Sequence, residues 1–198
     1  ALRISSSAFN LTTAGNVTAS NALFENVRIV GGAADNSITP FSFAEPSFIG
    51  GGNNNTITDS VNSFLGGGED HEIINSDDSF IGGGKNNDLK NESEYSFIGG
   101  GGGNDILSSS YAFIGGGNLN LIHSSSYSTI AAGSRNEIID GLYNSILSGR
   151  ENDIYNSEYS AIAGGWGNVI DFAFPHSSIK AYNFIGGGKN NEILGKDE

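Results

Sequence analysis

The sequence predicts an all-β protein, a parallel β-solenoid (a β-roll) of about ten coils with about 16 residues in each coil. Three observations predict it: an aliphatic-Gly-Gly motif repeats at short period, an Asn-x-Ile motif follows each copy, and 30 of the 198 residues are glycine. A fixed period this short indicates units that stack on their neighbours. Helices are not expected, because the apolar positions do not recur at intervals of three and four residues.

Each repeat contains two aliphatic positions. Successive first positions are 15 to 19 residues apart except for one step of 23, and the second position follows after eight residues, or seven in one copy. Two short strands per coil, each turning one aliphatic side chain inward, account for this rhythm. The first positions are Val30, Ile49, Leu65, Ile81, Ile98, Ile114, Ile130, Leu147, Ile162 and Ile185. The second positions are Ile38, Ile57, Ile73, Leu89, Ile106, Ile122, Ile138, Ile154, Ile170 and Ile193.

Glycine and asparagine mark the turn between these two strands. Consecutive glycines follow the first aliphatic position in most copies, and small residues replace them in the others, so a large side chain is not expected there. An asparagine lies two residues before the second aliphatic position in nearly every copy, with His71 as the exception. Asparagine tolerates left-handed backbone, and stacked amides can form a hydrogen-bonded ladder. A ligand-binding face is the alternative interpretation of this column.

Phenylalanine recurs one residue before the first aliphatic position. Strand alternation turns it away from the core, and a coil of about 16 residues is too small to enclose it. An exposed apolar stripe of this kind is typical of an interface, and we expect a homotrimer that buries the stripe; a dimer or a different covering chain would satisfy the same argument. Thr129, Ile146 and Ala161 replace phenylalanine in three copies. The predicted interface residues are Phe48, Phe64, Phe80, Phe97, Phe113 and Phe184.

The Ser-x-aliphatic-Gly-Gly and Asn-x-Ile rhythm of residues 28–195 resembles the YadA-type head repeats of trimeric autotransporter adhesins. It is also similar to repeats of phage tail fibres and surface fibres. The first resemblance implies a left-handed parallel β-roll assembled as a trimer. The resemblance therefore gives an expected handedness and oligomeric state, which the spacing of the residues does not.

The segment Gly15-Asn16-Val17-Thr18-Ala19-Ser20 resembles a joint of tail-fibre proteins that often precedes β-solenoid shafts. The expected organisation is a joint or capping segment at 1–27 and a repeat domain at 28–198. The resemblances imply a structural and adhesive fibre segment on a virion or at a cell surface. Its expected partners are two further copies of the chain and a glycan or protein receptor on a host surface.

Two groups of aromatic residues are candidate contacts for that receptor. Tyrosines form a partial column before the phenylalanine strand, and they could stack on sugar rings or cover the coil below. The 23-residue step predicts a loop insertion near 171–182, just after Trp166, and such loops often carry binding residues; a loop that packs its own aromatic residues is the alternative. The candidates are Trp166, Phe172, Phe174, His176, Tyr95, Tyr111, Tyr127, Tyr159 and Tyr182.

Net charge and residue types argue against several classes of function for this chain. With 22 acidic and 9 basic residues, the net charge of −13 disfavours nucleic acid as a partner, and no apolar run is long enough to insert into a membrane. The chain has no cysteine, and its three histidines share no metal-ligand spacing. No nucleophile motif is present either. We therefore predict no catalytic residues, no metal and no cofactor, and we do not expect an enzyme.

A column of acidic residues leaves two alternatives open. Stacked carboxylates attract cations, and residues 99–107 are similar to the nonapeptide repeat of calcium-binding β-rolls, so a secreted Ca²⁺-binding β-roll is one alternative. The other is a fibre that cleaves glycans with paired carboxylates, although the sequence nominates no pair. The column comprises Glu72, Asp88, Asp105, Glu137, Asp153 and Glu192.

Overall fold

A computed structural model describes residues 29–30, 35–39, 46–172 and 182–195, which form twenty short strands in two ten-stranded parallel sheets. Odd-numbered strands build the first sheet and even-numbered strands build the second. A coil is therefore one strand of each sheet with the two connections between them. The predicted parallel β-solenoid with about 16 residues per coil is confirmed.

The strands of the first sheet have two residues each, and those of the second sheet have three. The first sheet comprises β1 (Ile29–Val30), β3 (Phe48–Ile49), β5 (Phe64–Leu65), β7 (Phe80–Ile81), β9 (Phe97–Ile98), β11 (Phe113–Ile114), β13 (Thr129–Ile130), β15 (Ser145–Ile146), β17 (Ala161–Ile162) and β19 (Phe184–Ile185). The second sheet comprises β2 (Ser37–Thr39), β4 (Thr56–Thr58), β6 (Glu72–Ile74), β8 (Asp88–Lys90), β10 (Asp105–Leu107), β12 (Leu121–His123), β14 (Glu137–Ile139), β16 (Asp153–Tyr155), β18 (Val169–Asp171) and β20 (Glu192–Leu194).

Two columns of aliphatic side chains form the core. Ile49, Leu65 and Ile81 lie in register on successive strands of the first sheet, and Ile57 and Ile73 do so in the second. All of these side chains are fully buried. Burial of an aliphatic side chain of this size contributes about 1.5–3 kcal/mol. The narrow core therefore depends on every coil supplying one such residue to each sheet.

The structure corrects one position in the repeat. Ile146, not Leu147, pairs with Ile130 and Ile162 and is fully buried, whereas Leu147 is 52% exposed. The interval from Ile146 to Ile154 is then eight residues, as in the other coils. Ser145 takes the place predicted for Ile146 on the outer face. Leu147 occupies the first turn position, so this coil is an exception to the expected exclusion of large side chains. At the equivalent Gly115, a Cβ would lie 2.3 Å from the Ala131 carbonyl oxygen.

The two connections of a coil differ in how their length varies. The first connection, which runs from the first sheet to the second, has six residues in every coil. The second connection, which runs back to the first sheet of the next coil, usually has five residues, but it has eight at 40–47, six at 91–96 and twelve at 172–183. All changes in coil length therefore lie on one edge of the roll, which we call the second edge.

Some sequence predictions lie outside the described residues. The joint predicted at residues 1–27 is one of them. Most of the insertion predicted near 171–182, including Phe174 and His176, is another.

Candidate binding surfaces

The asparagine column builds the first edge of the roll, formed by the stacked first connections. The side-chain amide of Asn136 donates to Oδ1 of Asn120 in the preceding coil at 3.1 Å and to the Gly149 carbonyl of the next coil at 3.1 Å. The backbone amide of Asn136 also donates to Asn120 Oδ1, at 3.1 Å. The predicted amide ladder is confirmed. Both side chains are fully buried, so this column holds the turns together and offers no surface to a ligand.

Glycine occupies the third residue of the first connection in all nine coils from β3 onward. Gly117 has a φ of +107°, and a Cβ on it would lie 2.1 Å from the Gly133 carbonyl oxygen. At Gly116, one residue earlier, the nearest atom to such a Cβ is 3.6 Å away. Ala132 occupies the position equivalent to Gly116 in the next coil. This turn therefore has room for a side chain at its second position but not at its third.

Two buried serine columns build the second edge, and sequence reasoning did not single them out. Ser76 Oγ donates to the Ile74 carbonyl at 3.0 Å and accepts from the Ser93 backbone amide at 3.2 Å. Ser63 Oγ, in the other column, donates to the Ser76 carbonyl at 3.2 Å. The signal was available as serines 16 or 17 residues apart. The structural role of these serines could not be recognised from the sequence because serine is common throughout the chain.

The phenylalanines predicted to point outward form a stacked ladder on the first sheet. Successive rings from Phe48 to Phe113 have centroids 4.8–5.2 Å apart and interplanar angles of 4–14°. Phe64 and Phe113 remain 38% and 39% exposed. The ladder stops at Thr129, Ser145 and Ala161, and Phe184 stands apart from it, 67% exposed. The apolar stripe therefore covers mainly the first half of the roll.

The tyrosines form a second, continuous ladder on the second edge. Ring centroids are 4.9–5.2 Å apart from Tyr95 through Tyr182. Tyr143, which the sequence analysis missed, lies between Tyr127 and Tyr159 and completes the column. The inner rings have a tyrosine on each face. A sugar can therefore reach their edges and hydroxyl groups but cannot stack on their faces, which favours the structural role for this column.

An open groove of about 860 Å³ lies beside the start of the tyrosine ladder. Part of its acidic lining is structural, because Asp77 accepts a 2.8 Å hydrogen bond from the backbone amide of Val61. In the part of the chain that the structure describes, no three His, Asp or Glu side chains converge closely enough to hold a metal ion. The groove is lined by Asp59, Asn75, Asp77, Asn91, Glu92, Glu94, Ser108, Ser110 and Ser126.

The predicted acidic column lies on the outer face of the second sheet, where its charges are partly compensated. Lys90 bridges Glu72 and Asp88, the latter at 2.8 Å. Partial burial, followed by repulsion from Asp88, raises the pKa of Asp105 to about 6. Burial, followed by repulsion from a neighbouring carboxylate, likewise raises the pKa of Asp153 to about 6. These carboxylates resist ionisation, as expected of like charges stacked at the spacing of β-strands.

Trp166 lies on the first edge within a group of charged side chains. It is 43% exposed, and its indole Nε1 donates to Glu151 Oε2 at 2.8 Å. The ammonium of Lys189 lies 4.0 Å from the ring centroid on the next coil, and Arg150 Cζ lies 5.9 Å from it on the preceding coil. Phe172, by contrast, packs partly buried against the core at the start of a second connection. The structure therefore places Trp166 and Phe172 on opposite edges rather than in one patch.

Comparison with known proteins assigns no function to these surfaces. No protein-family model matches the chain, and no curated protein matches it in sequence. None of the described residues belongs to a helix long and apolar enough to cross a bilayer.

Proposed function

We propose that the chain is a rigid structural and adhesive segment of a trimeric fibre, carried on a virion or a cell surface, that presents a receptor-binding surface. The observation that carries the proposal is the in-register stacking of every column in both sheets. Nine steps of strand spacing make a rod on the order of 45 Å long. Coil-to-coil hydrogen bonds along both sheets and both edges oppose bending. The proposed role is therefore mechanical support and binding rather than catalysis.

The phenylalanine ladder supports the trimer. Stacking already covers the ring faces, yet Phe64 and Phe113 each leave more than a third of their surface in water. A continuous apolar stripe on a soluble protein is typical of an interface. Three ladders that meet around a common axis would remove the ring edges from water and keep the three rods parallel. The tyrosine ladder, whose hydroxyl groups can remain hydrated, would stay outside this contact.

The solution mass of the chain tests the trimer, by light scattering or sedimentation. Replacement of three central rings, Phe64→Ser, Phe80→Ser and Phe97→Ser, is expected to give monomers because each loses apolar contact area. The matched control changes three stacked tyrosines, Tyr111→Ser, Tyr127→Ser and Tyr143→Ser, and should remain trimeric. Circular dichroism checks that both variants keep the β-roll. A monomeric native chain would contradict the trimer, and a trimeric phenylalanine variant would move the interface elsewhere.

Binding of labelled protein to intact cells tests the adhesive role. We expect saturable binding to a subset of a panel of bacterial and animal cells. Periodate treatment of the cells should abolish binding if the receptor is a glycan, and protease treatment should do so if it is a protein. Absence of saturable binding across the panel would contradict adhesion and leave a purely structural segment.

A further inference from the structure

We propose that the tyrosine ladder on the second edge is an oxidative cross-linking site, in which an oxidant of the haem-peroxidase class joins the rings of neighbouring coils as dityrosine. Each bond ties one coil to the next through side chains, in addition to the backbone hydrogen bonds that already join them. The modification is independent of the proposed adhesive function. The ladder comprises Tyr95, Tyr111, Tyr127, Tyr143, Tyr159 and Tyr182.

The turn itself does not require tyrosine at this position. Asn62 and Asp78 occupy the same position in the two preceding coils, and their φ angles of 54° and 53° are close to the 57° of Tyr111. The backbone hydrogen bond is also the same, because the amide of Asp78 donates to the Val61 carbonyl at 2.9 Å and that of Tyr111 donates to Glu94 at 2.9 Å. Left-handed backbone is easier for asparagine and aspartate than for a bulky aromatic residue. The repeated tyrosine must therefore be explained by its side chain.

Stacking holds the rings at a spacing from which they can couple. The ring centroids of Tyr111 and Tyr127 are 4.9 Å apart and their planes are inclined by 3°, and those of Tyr95 and Tyr111 are 4.9 Å apart at 11°. Rotation of both rings about the Cβ–Cγ bond brings the carbon atoms beside their hydroxyl groups towards each other, and exposed side chains move in this way on short timescales. Two radicals on adjacent rings therefore couple without having to meet by diffusion.

An oxidant can reach the ladder from solvent, and few other side chains compete for it. Tyr95, Tyr111, Tyr127 and Tyr143 are 45–51% exposed. The chain has no cysteine and no methionine, the two side chains that oxidants commonly attack. Its single tryptophan, Trp166, lies on the opposite edge, and its seventh tyrosine lies on the second sheet. Most of the easily oxidised side chains of this protein are therefore gathered in one column.

Asp78 provides a proton acceptor at the start of the ladder. Oxidation of a tyrosine to its neutral radical removes an electron and the phenolic proton, so a base beside the hydroxyl group favours it. Repulsion from the Asp78 carboxylate, followed by interaction with Tyr111, raises the pKa of Tyr95, and a hydrogen bond to Asp78 contributes to the same shift. The phenol of Tyr95 therefore keeps its proton until it is oxidised, and Asp78 can accept the proton at that moment. We expect Tyr95 and Tyr111 to couple most readily.

The reaction is balanced by one molecule of hydrogen peroxide. Two neighbouring phenols each lose one electron and one proton to the peroxidase, which the peroxide has oxidised. The two radicals form one carbon–carbon bond between ring positions ortho to the hydroxyl groups. The hydrogen on each of these carbons moves to the oxygen and restores the phenol. The protein loses two hydrogen atoms for each bond, and the peroxide is reduced to two molecules of water.

Treatment of the native chain with a haem peroxidase and limiting hydrogen peroxide tests the site. We expect dityrosine fluorescence, an intact mass lower by two hydrogen atoms per bond, and a single-chain band in a denaturing gel. Fragmentation mass spectrometry of the digested protein should place the bonds between tyrosines of adjacent coils. Tm should rise by about 4 °C or more, because each bond closes a loop of one coil and restricts the unfolded chain.

Two variants with the same number of tyrosines locate the coupling. The alternating variant carries Tyr111→Phe, Tyr143→Phe and Tyr182→Phe, so its remaining ladder tyrosines lie two coils apart, roughly 10 Å along the axis. The contiguous variant carries Tyr143→Phe, Tyr159→Phe and Tyr182→Phe and keeps three neighbouring phenols. Phenylalanine preserves the ring stack in both, and circular dichroism checks that both keep the β-roll. The yield of dityrosine within one chain should be at least tenfold lower in the alternating variant.

Three outcomes would overturn the proposal. They are no dityrosine in the native chain, bonds that form only between chains, and equal yields within one chain for the two variants. Asp78→Asn should slow the coupling of Tyr95 to Tyr111 severalfold, and an unchanged rate would refute the role of Asp78 as proton acceptor. The phenylalanine ladder is intact in all these proteins, so the result does not depend on whether the trimer forms through it.

Discussion

His71 accepts a 3.0 Å hydrogen bond through Nδ1 from the backbone amide of Asn87, where the other interior coils use an asparagine oxygen. Its Nε2 is buried and forms no hydrogen bond of good geometry within the described part of the chain. The asparagine at this place in a regular coil, such as Asn120, donates to two glycine carbonyls, at 3.2 and 3.0 Å. The imidazole does not reproduce these two bonds. The amide ladder therefore has fewer hydrogen bonds in the coil that contains His71 than in a regular coil.

Replacement of this histidine by the consensus residue should stabilise the roll. We expect His71→Asn to raise the free energy of unfolding by about 1 kcal/mol, because it satisfies buried carbonyl groups, and to raise Tm by about 2–4 °C. Scanning calorimetry at pH 8 measures the change. The reciprocal variant Asn120→His should lower Tm. If His71→Asn has no effect on Tm or lowers it, the missing hydrogen bonds at His71 do not destabilise the roll.

The same histidine should make the native chain sensitive to mild acid. Burial lowers the pKa of His71, so the folded state binds fewer protons than the unfolded state, whose histidine pKa is about 6.5. Stability linked to this group is present above that pH and is lost as the pH falls through the folded pKa. The advantage of His71→Asn over the native chain should therefore grow between pH 7 and pH 5. A constant difference across that range would show that the pKa of His71 is the same in the folded and unfolded states.

Two acidic groups should have the opposite dependence. The pKa values of Asp105 and Asp153 are raised to about 6 by burial and by repulsion from the adjacent carboxylates. The folded state then binds more protons than the unfolded state between about pH 4 and pH 6, so this contribution to stability is lost as the pH rises.

Neutral replacements test that assignment. Asp105→Asn and Asp153→Asn should each raise the free energy of unfolding at pH 7.5 by roughly 1 kcal/mol, a value discounted for partial exposure to solvent. The gain should vanish near pH 4, where the native carboxyl groups are protonated. Asp140→Asn, at an exposed position on the second edge, is the control for removal of one negative charge. Equal gains in all three variants would indicate a general effect of net charge.

Two adjacent glycines in one turn should differ sharply in how much an alanine substitution destabilises the roll. Gly117→Ala places a Cβ 2.1 Å from the Gly133 carbonyl oxygen at a positive φ, and should destabilise the roll by at least about 3 kcal/mol or prevent folding. Gly116→Ala, where the nearest atom is 3.6 Å away, should change stability by less than about 1 kcal/mol. Tm and soluble yield measure both. Similar losses in the two variants would contradict the described turn.

The effect of replacing an asparagine should depend on whether its side chain belongs to the buried ladder. Asn120→Ala removes donors to Asn104 and two glycines and leaves the Asn136 amide without its 3.1 Å acceptor. We expect a loss of about 3 kcal/mol. Asn118→Ala, in the same turn but exposed, should be close to neutral. Urea unfolding of the two variants compares them directly, and near-equal midpoints would rule out a dominant role for the ladder.

The repeat predicts the register of the roll because each coil must supply the same two inward residues. Where two aliphatic residues are adjacent, the repeat alone does not show which one points inward. For this reason the sequence predicted Leu147 as the buried residue instead of Ile146. The eight-residue interval to Ile154 would have distinguished them, since the first connection never changes length. Tyr143 could have been found by the same test, 16 residues after Tyr127.

The candidate surfaces were harder to predict than the coil. Outward positions follow from strand alternation, so exposure of the phenylalanines was predictable. Stacking of Tyr111 on Tyr127 was not, because it depends on neighbouring rings adopting one orientation. The contact between Trp166 and Lys189 crosses the 23-residue step and appears only once the register is known. A sequence pattern places side chains at positions along each coil. It does not show which side chains contact each other and are therefore no longer available to a ligand.

The unequal behaviour of the two connections has a consequence for how such a rod can acquire new parts. Between β8 and β9 an extra residue is accommodated at Asn91 and Glu92, both in left-handed backbone, while the strands on either side keep their partners. A foreign peptide grafted at this point should therefore project sideways without shifting the coils above or below it. The opposite edge, where each amide must meet its counterpart one level away, has no such freedom. Diversification of the rod is confined to one flank.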